Sequence, residues 1–143
     1  MLFRSDPRYS SRDADTHAGG LEHTIYAFDR KVWLTLGAEF VESAAEGLNF
    51  DYAGPMGHVL LSIPAGWDVR LDASLEFAME DYDVFAGPEA RETARRIWSA
   101  VLWRWIGTGV LARLSFREID EESNLPVFSS TRREIGASVA YVY

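Results

Sequence analysis

The stretch PEARETARRIWSAVLWRWI, residues 88–106, decides how the rest of the chain is read. Gly87 precedes Pro88, a residue suited to the first position of a helix, and Glu89 and Glu92 would sit at the positive end of the helix dipole. Ala90, Ala94, Ile97, Trp98, Val101, Leu102 and Trp105 recur at spacings of three and four and make one apolar stripe. Arg91, Arg95, Arg96, Ser99 and Arg104 fall largely off that stripe, and Gly107 or Gly109 supplies a stop. The spacing predicts one principal amphipathic helix over about 88–106. Trp103 lies off the stripe, as an exposed anchor would.

On either side of this stretch the period changes to two. Upstream, Trp67, Val69, Leu71, Ala73, Leu75, Phe77 and Met79 take the odd positions, with Asp68, Arg70, Asp72, Ser74, Glu76, Ala78 and Glu80 between them. That alternation is a strand pattern, and the apolar row reads as its buried face. Earlier runs of the same kind are Thr24–Phe28, Val32–Leu36, Leu48–Tyr52 and Val59–Ile63, with 38–46 open to either a short helix or a continued strand. Gly54-Pro55-Met56-Gly57 reads as a turn. Downstream, Val110, Ala112, Leu114 and Phe116 alternate, 118–124 reads as an acidic loop, Leu125–Ser130 as an edge strand, Thr131–Arg133 as a turn, and Ile135–Tyr143 as a last strand. The expected fold class is therefore α+β: an antiparallel β-sheet, curled into a barrel or packed as a sandwich, on one helix. Residues 1–20 read as an extended N-terminal arm ending in Gly19-Gly20, and 21–143 as a single domain, which suits a chain of 143 residues.

Composition narrows the chemistry. There is no cysteine, so disulfides, thiolate metal sites and a cysteine nucleophile are excluded. Phosphate-cradling and nucleophile-elbow motifs are absent, and His17, His23 and His58 have no metal-ligand spacing. No cofactor is implied. The best polar candidates are the acid runs Glu80-Asp81-Tyr82-Asp83 and Asp120-Glu121-Glu122, which read as solvated loops, and a meeting of His58 with Asp72 inside a closed barrel. No apolar run approaches the ~20 residues of a helical membrane span, and the N-terminus does not resemble a signal peptide, so a cytoplasmic or particle-associated location is expected.

The net charge is −8. Residues 21–85 carry twelve acids against Arg30, Lys31 and Arg70, whereas residues 86–143 carry eight arginines against seven acids. An acidic field argues against nucleic acid and anionic membrane as partners. The asymmetry suits head-to-tail contacts between copies. The sequence thus points to a non-enzymatic assembly subunit working through protein–protein contacts, such as a ring or tube component of a phage-like particle. Phe3, Tyr9, Arg91, Arg95, Trp103, Arg132 and Arg133 are its candidate contact residues. A ligand-binding or catalytic β-barrel and an acidic, immunity-type inhibitor of a basic partner are the alternatives.

Overall fold

In the computed structural model, residues 14–45, 51–82 and 90–141 are described. They form seven long strands: β1 (Ala14–Ala27), β2 (Val32–Ala45), β3 (Tyr52–Gly66), β4 (Val69–Tyr82), β5 (Arg91–Ile106), β6 (Val110–Ser123) and β7 (Ser130–Tyr141). A 3-10 turn, Pro126–Phe128, precedes β7. Each strand pairs antiparallel with the next, in the order β1-β2-β3-β4-β5-β6-β7, giving one up-and-down sheet. The seven-strand ladder is open. Its edges are β1 and β7, which run in the same direction because the number of strands is odd.

The expected α+β class is overturned, because the stretch read as a helix is strand β5. Along β5, Glu92, Ala94, Arg96, Trp98, Ala100, Leu102, Arg104 and Ile106 face one side, and Arg91, Thr93, Arg95, Ile97, Ser99, Val101, Trp103 and Trp105 face the other. Apolar residues occur on both sides, and their superposition imitates a period of three and four. Thr93, Ile97, Val101 and the tryptophans are strand formers. Unbroken pairing to β4 on one side and β6 on the other outweighs the helical spacing.

Three further local readings change for related reasons. The 38–46 stretch continues β2 as far as Ala45, the acidic 118–123 segment lies within β6, and Gly54–Gly57 runs inside β3 rather than turning. At Gly57 a Cβ would meet the Phe77 ring at 2.4 Å, and at Gly37 it would meet the His58 ring at 2.2 Å. In both places a ring from the neighbouring strand lies across the bare backbone. A Gly57→Val substitution must push Phe77 aside, and a cost of about 1–3 kcal/mol is expected from overpacking. A urea titration of the refolded variant measures it.

The ladder is connected at one end by tight turns, 28–31, 67–68 and 107–109, and at the other by the longer segments 46–51, 83–90 and 124–129. Trp67 and Asp68 both have positive φ, 49° and 59°, which fits the two-residue hairpin turn whose twist matches that of the strands. At the opposite end Asn124 ties two strands together. Its side-chain amide donates to the Ala90 carbonyl at 2.7 Å and its carbonyl accepts from the Glu92 backbone N–H at 2.9 Å.

Candidate functional site

The register assigns every residue to one of two faces, and the faces differ in kind. One face, here called outer, carries Val32, Leu34, Leu36, Ala38 and Phe40 on β2, Val59, Leu61 and Ile63 on β3, and Val69, Leu71, Ala73, Leu75, Phe77 and Met79 on β4. It continues through Trp98, Ala100 and Leu102 on β5, Val110, Ala112, Leu114 and Phe116 on β6, and Ile135, Ala137, Val139 and Tyr141 on β7. These side chains form an apolar belt, with Arg104 set between Val69 and Ala112. Charged residues appear on this face mainly beyond it, toward the longer connections: Glu42, Arg96, Glu118, Asp120, Glu122 and Arg133. At the other border lies Arg104.

The inner face is mixed, with apolar Trp33, Val41, Leu60, Ala78, Ile97 and Val101 set among its polar groups. It presents Thr24, Thr35, Glu39, Ser43, His58, Ser62, Arg70, Asp72, Ser74, Glu76, Glu80, Thr93, Arg95, Ser99, Arg113, Ser115 and Arg117. Burial follows the face more than the residue type: inner-face Val41, Ala78, Tyr82 and Ile97 are buried, and so are polar Thr35, Ser43, Ser62, Glu80 and Thr93. Inner-face Ser62 is 0 % exposed and Glu80 6 %, whereas outer-face Phe77 is 47 %, Trp98 51 % and Met79 57 % exposed. In the β4 row expected to be buried, Phe77 and Met79 are exposed and Val69, Leu71, Ala73 and Leu75 half-buried, as are Asp72 and Glu76, expected to point to water.

Buried polar groups need partners, and this face supplies them. Near the tight turns, Asp72 accepts hydrogen bonds from Ser62 Oγ and from Trp103 Nε1, the latter at 2.8 Å. Arg70 donates from Nε to Ser62 Oγ at 2.8 Å and from Nη2 to the Lys31 carbonyl at 2.7 Å, and its guanidinium lies 3.8 Å from the centre of the Trp33 ring. At mid-sheet, Ser74 and Ser99 share a hydrogen bond of 2.7 Å, and His58 meets Glu22 at 3.1 Å. Near the longer connections, Glu80 pairs with Arg95 at 3.0 Å and accepts from Tyr82 Oη at 2.9 Å. No described buried side-chain nitrogen or oxygen lacks a partner.

The residues singled out from sequence scatter over this frame. Phe3 and Tyr9 lie outside the described residues. Arg91 is held between the Tyr82 and Phe128 rings, 4.1 Å from each. Arg95 is bound to Glu80 and Trp103 to Asp72, both on the inner face. Arg132 pairs with Glu134 on the inner face, and Arg133 with Glu118 on the outer. His58 and Asp72 engage different partners rather than each other. Asp81 and the Asp120-Glu121-Glu122 run are in strands. Among the described residues no group of three or more histidines and carboxylates is placed to hold a metal ion, and no helix is long and apolar enough to cross a membrane. No known protein family, no curated protein and no solved structure matches this chain.

Proposed function

We propose that this chain forms part of the wall of a membrane-spanning β-barrel, with the apolar belt against lipid and the inner face lining the interior. The observation that carries this reading is the difference between the faces: the buried side chains, polar and apolar alike, lie on the inner face, while many large apolar side chains stand open on the outer one. In water such a belt would be a large exposed hydrophobic patch. In hydrocarbon it is the favoured surface, and alternation of apolar-out with polar-in is the pattern of membrane strands.

The dimensions agree. From Val69 to Met79 the belt follows roughly 33 Å of strand. At a tilt near 45° this covers about 24 Å of bilayer, against the roughly 25 Å apolar band of such barrels. Aromatic side chains lie toward both borders. Phe40 and Phe77 are on the side of the longer connections, Phe28, Trp67 and Tyr141 on the side of the tight turns, and Trp98 and Phe116 nearer the middle. Rings of this kind favour the membrane–water boundary. Lipid offers no hydrogen bonds to the open edges of β1 and β7, so the complete barrel must pair them.

Trp98 and Trp103 give a direct test, since they are five residues apart on one strand and face opposite ways. In variants that each keep one of them as the sole tryptophan, refolded into vesicles of brominated phosphatidylcholine, Trp98 fluorescence is expected to be strongly quenched and that of Trp103 largely spared. Equal quenching of both, or of neither, would remove the lipid-facing assignment. The open edges also suit a subunit that joins its neighbours strand to strand in water. That assembly reading requires a discrete particle to form from unfolded chain without detergent or lipid.

A further inference from the structure

We infer that the inner face carries an oxyanion site at Arg113 and Arg117 of β6, fitted to phosphate or a phosphate monoester. It lies on the opposite face from the apolar belt and goes beyond the membrane reading. Most inner-face acids, Glu22, Glu39, Asp72, Glu76 and Glu80, lie on β1–β4 beside Arg70, and most inner-face arginines, Arg91, Arg95, Arg113, Arg117 and Arg132, lie on β5–β7 beside Glu121 and Glu134. Three of these arginines are already engaged: Arg95 by Glu80, Arg132 by Glu134, and Arg91 by the two rings. Arg113 and Arg117 form no ion pair among the described residues. Their cross-strand neighbours explain why. Arg113 faces Trp103 and Ser138, and Arg117 faces Ser99 and Glu134, whose carboxylate is taken by Arg132 at 2.9 Å.

The two guanidinium groups border a polar hollow of about 510 Å³. Ser115 lies between them on the same face and Ser99 beside them, so two hydroxyls complement two cations. Opposite Ser115 is Gly136, where a Cβ would come within 2.9 Å of the Ser115 hydroxyl, so a side chain there would narrow the hollow. Guanidinium groups match the oxygens of phosphate in geometry as well as charge. Arg113 and Arg117 are four residues apart, roughly 13 Å along the strand, so their flexible side chains approach a ligand from both ends. Two carboxylates also border the hollow: Glu134, which is paired with Arg132, and Glu76, which opposes an anion there.

The test is calorimetric titration of the refolded full chain with inorganic phosphate at low ionic strength. Saturable binding is expected, weakened at least tenfold in R113Q/R117Q and by a smaller factor in each single variant. E76Q should bind several-fold more tightly, and R104Q, an arginine of the outer face, should bind like the parent. Retained affinity in the double variant, or no saturable binding by the parent, overturns the site. Far-ultraviolet circular dichroism confirms the strand content of each variant. The titration reads the inner face alone, so phosphate binding can fail while the tryptophan quenching pattern holds, and the reverse.

Discussion

Replacing Leu75 by Arg is expected to cost about 2–4 kcal/mol of folding free energy in a bilayer. Leu75 sits near the middle of the β4 belt, between Val59 of β3 and Trp98 of β5. A guanidinium there must either enter hydrocarbon or drag its strand toward the boundary, and both are costly near the midplane. The neighbouring position supplies the control. Glu76 points to the inner side, so Glu76→Gln should leave folding within about 0.5 kcal/mol of the parent, as for a substitution away from any packed network. Urea-dependent folding into phosphatidylcholine vesicles, followed by tryptophan fluorescence, measures both. Similar small effects at 75 and 76 would show that the outer face does not meet lipid.

The second large effect is expected at Arg95. Its guanidinium neutralises Glu80, whose residue is almost fully enclosed. Removing one member of a buried pair leaves the other charge without compensation, so Arg95→Ala should destabilise by about 3 kcal/mol. Tyr82 Oη still donates to Glu80 in that variant, but one neutral hydrogen bond does not replace a cation. Pairing Arg95→Met with Glu80→Gln should recover much of the loss, because no unpaired charge then remains. If the single and double variants are equally unstable, the damage is lost packing rather than an orphaned carboxylate. The same urea titration distinguishes the two.

Much of the sheet was legible from alternation alone. The odd positions from Val69 to Met79, the Val110–Phe116 row and the Ile135–Tyr141 row all belong to strands, while Trp67, read with the first row, forms the turn before β4. What alternation does not carry is the sign of each face. Reading Leu71 and Phe77 as buried assumes that water surrounds the molecule, and the faces exchange roles when the surroundings change. Residues 88–106 failed for a different reason. Alanine, arginine and leucine favour helix locally, while the strand-to-strand hydrogen bonds that override them come from residues far along the chain. Arg113 and Arg117 were visible only as the polar positions of an alternating run. That Arg117 has no ion pair among the described residues goes with Arg132 capturing Glu134, which needs the register of β6 on β7. The acid runs misled because carboxylates near loops resemble solvated ones until the strands are seen to extend through them.

The odd strand number fixes sidedness. β1 enters the sheet at the end of the longer connections, and β7 leaves it at the end of the tight turns. In the proposed barrel wall the seven described strands would cross an odd number of times, which would put the start of β1 and the end of β7 on opposite sides of the bilayer. An epitope placed ahead of Ala14 and another placed beyond Tyr141 would answer to reagents added on opposite sides of a sealed vesicle.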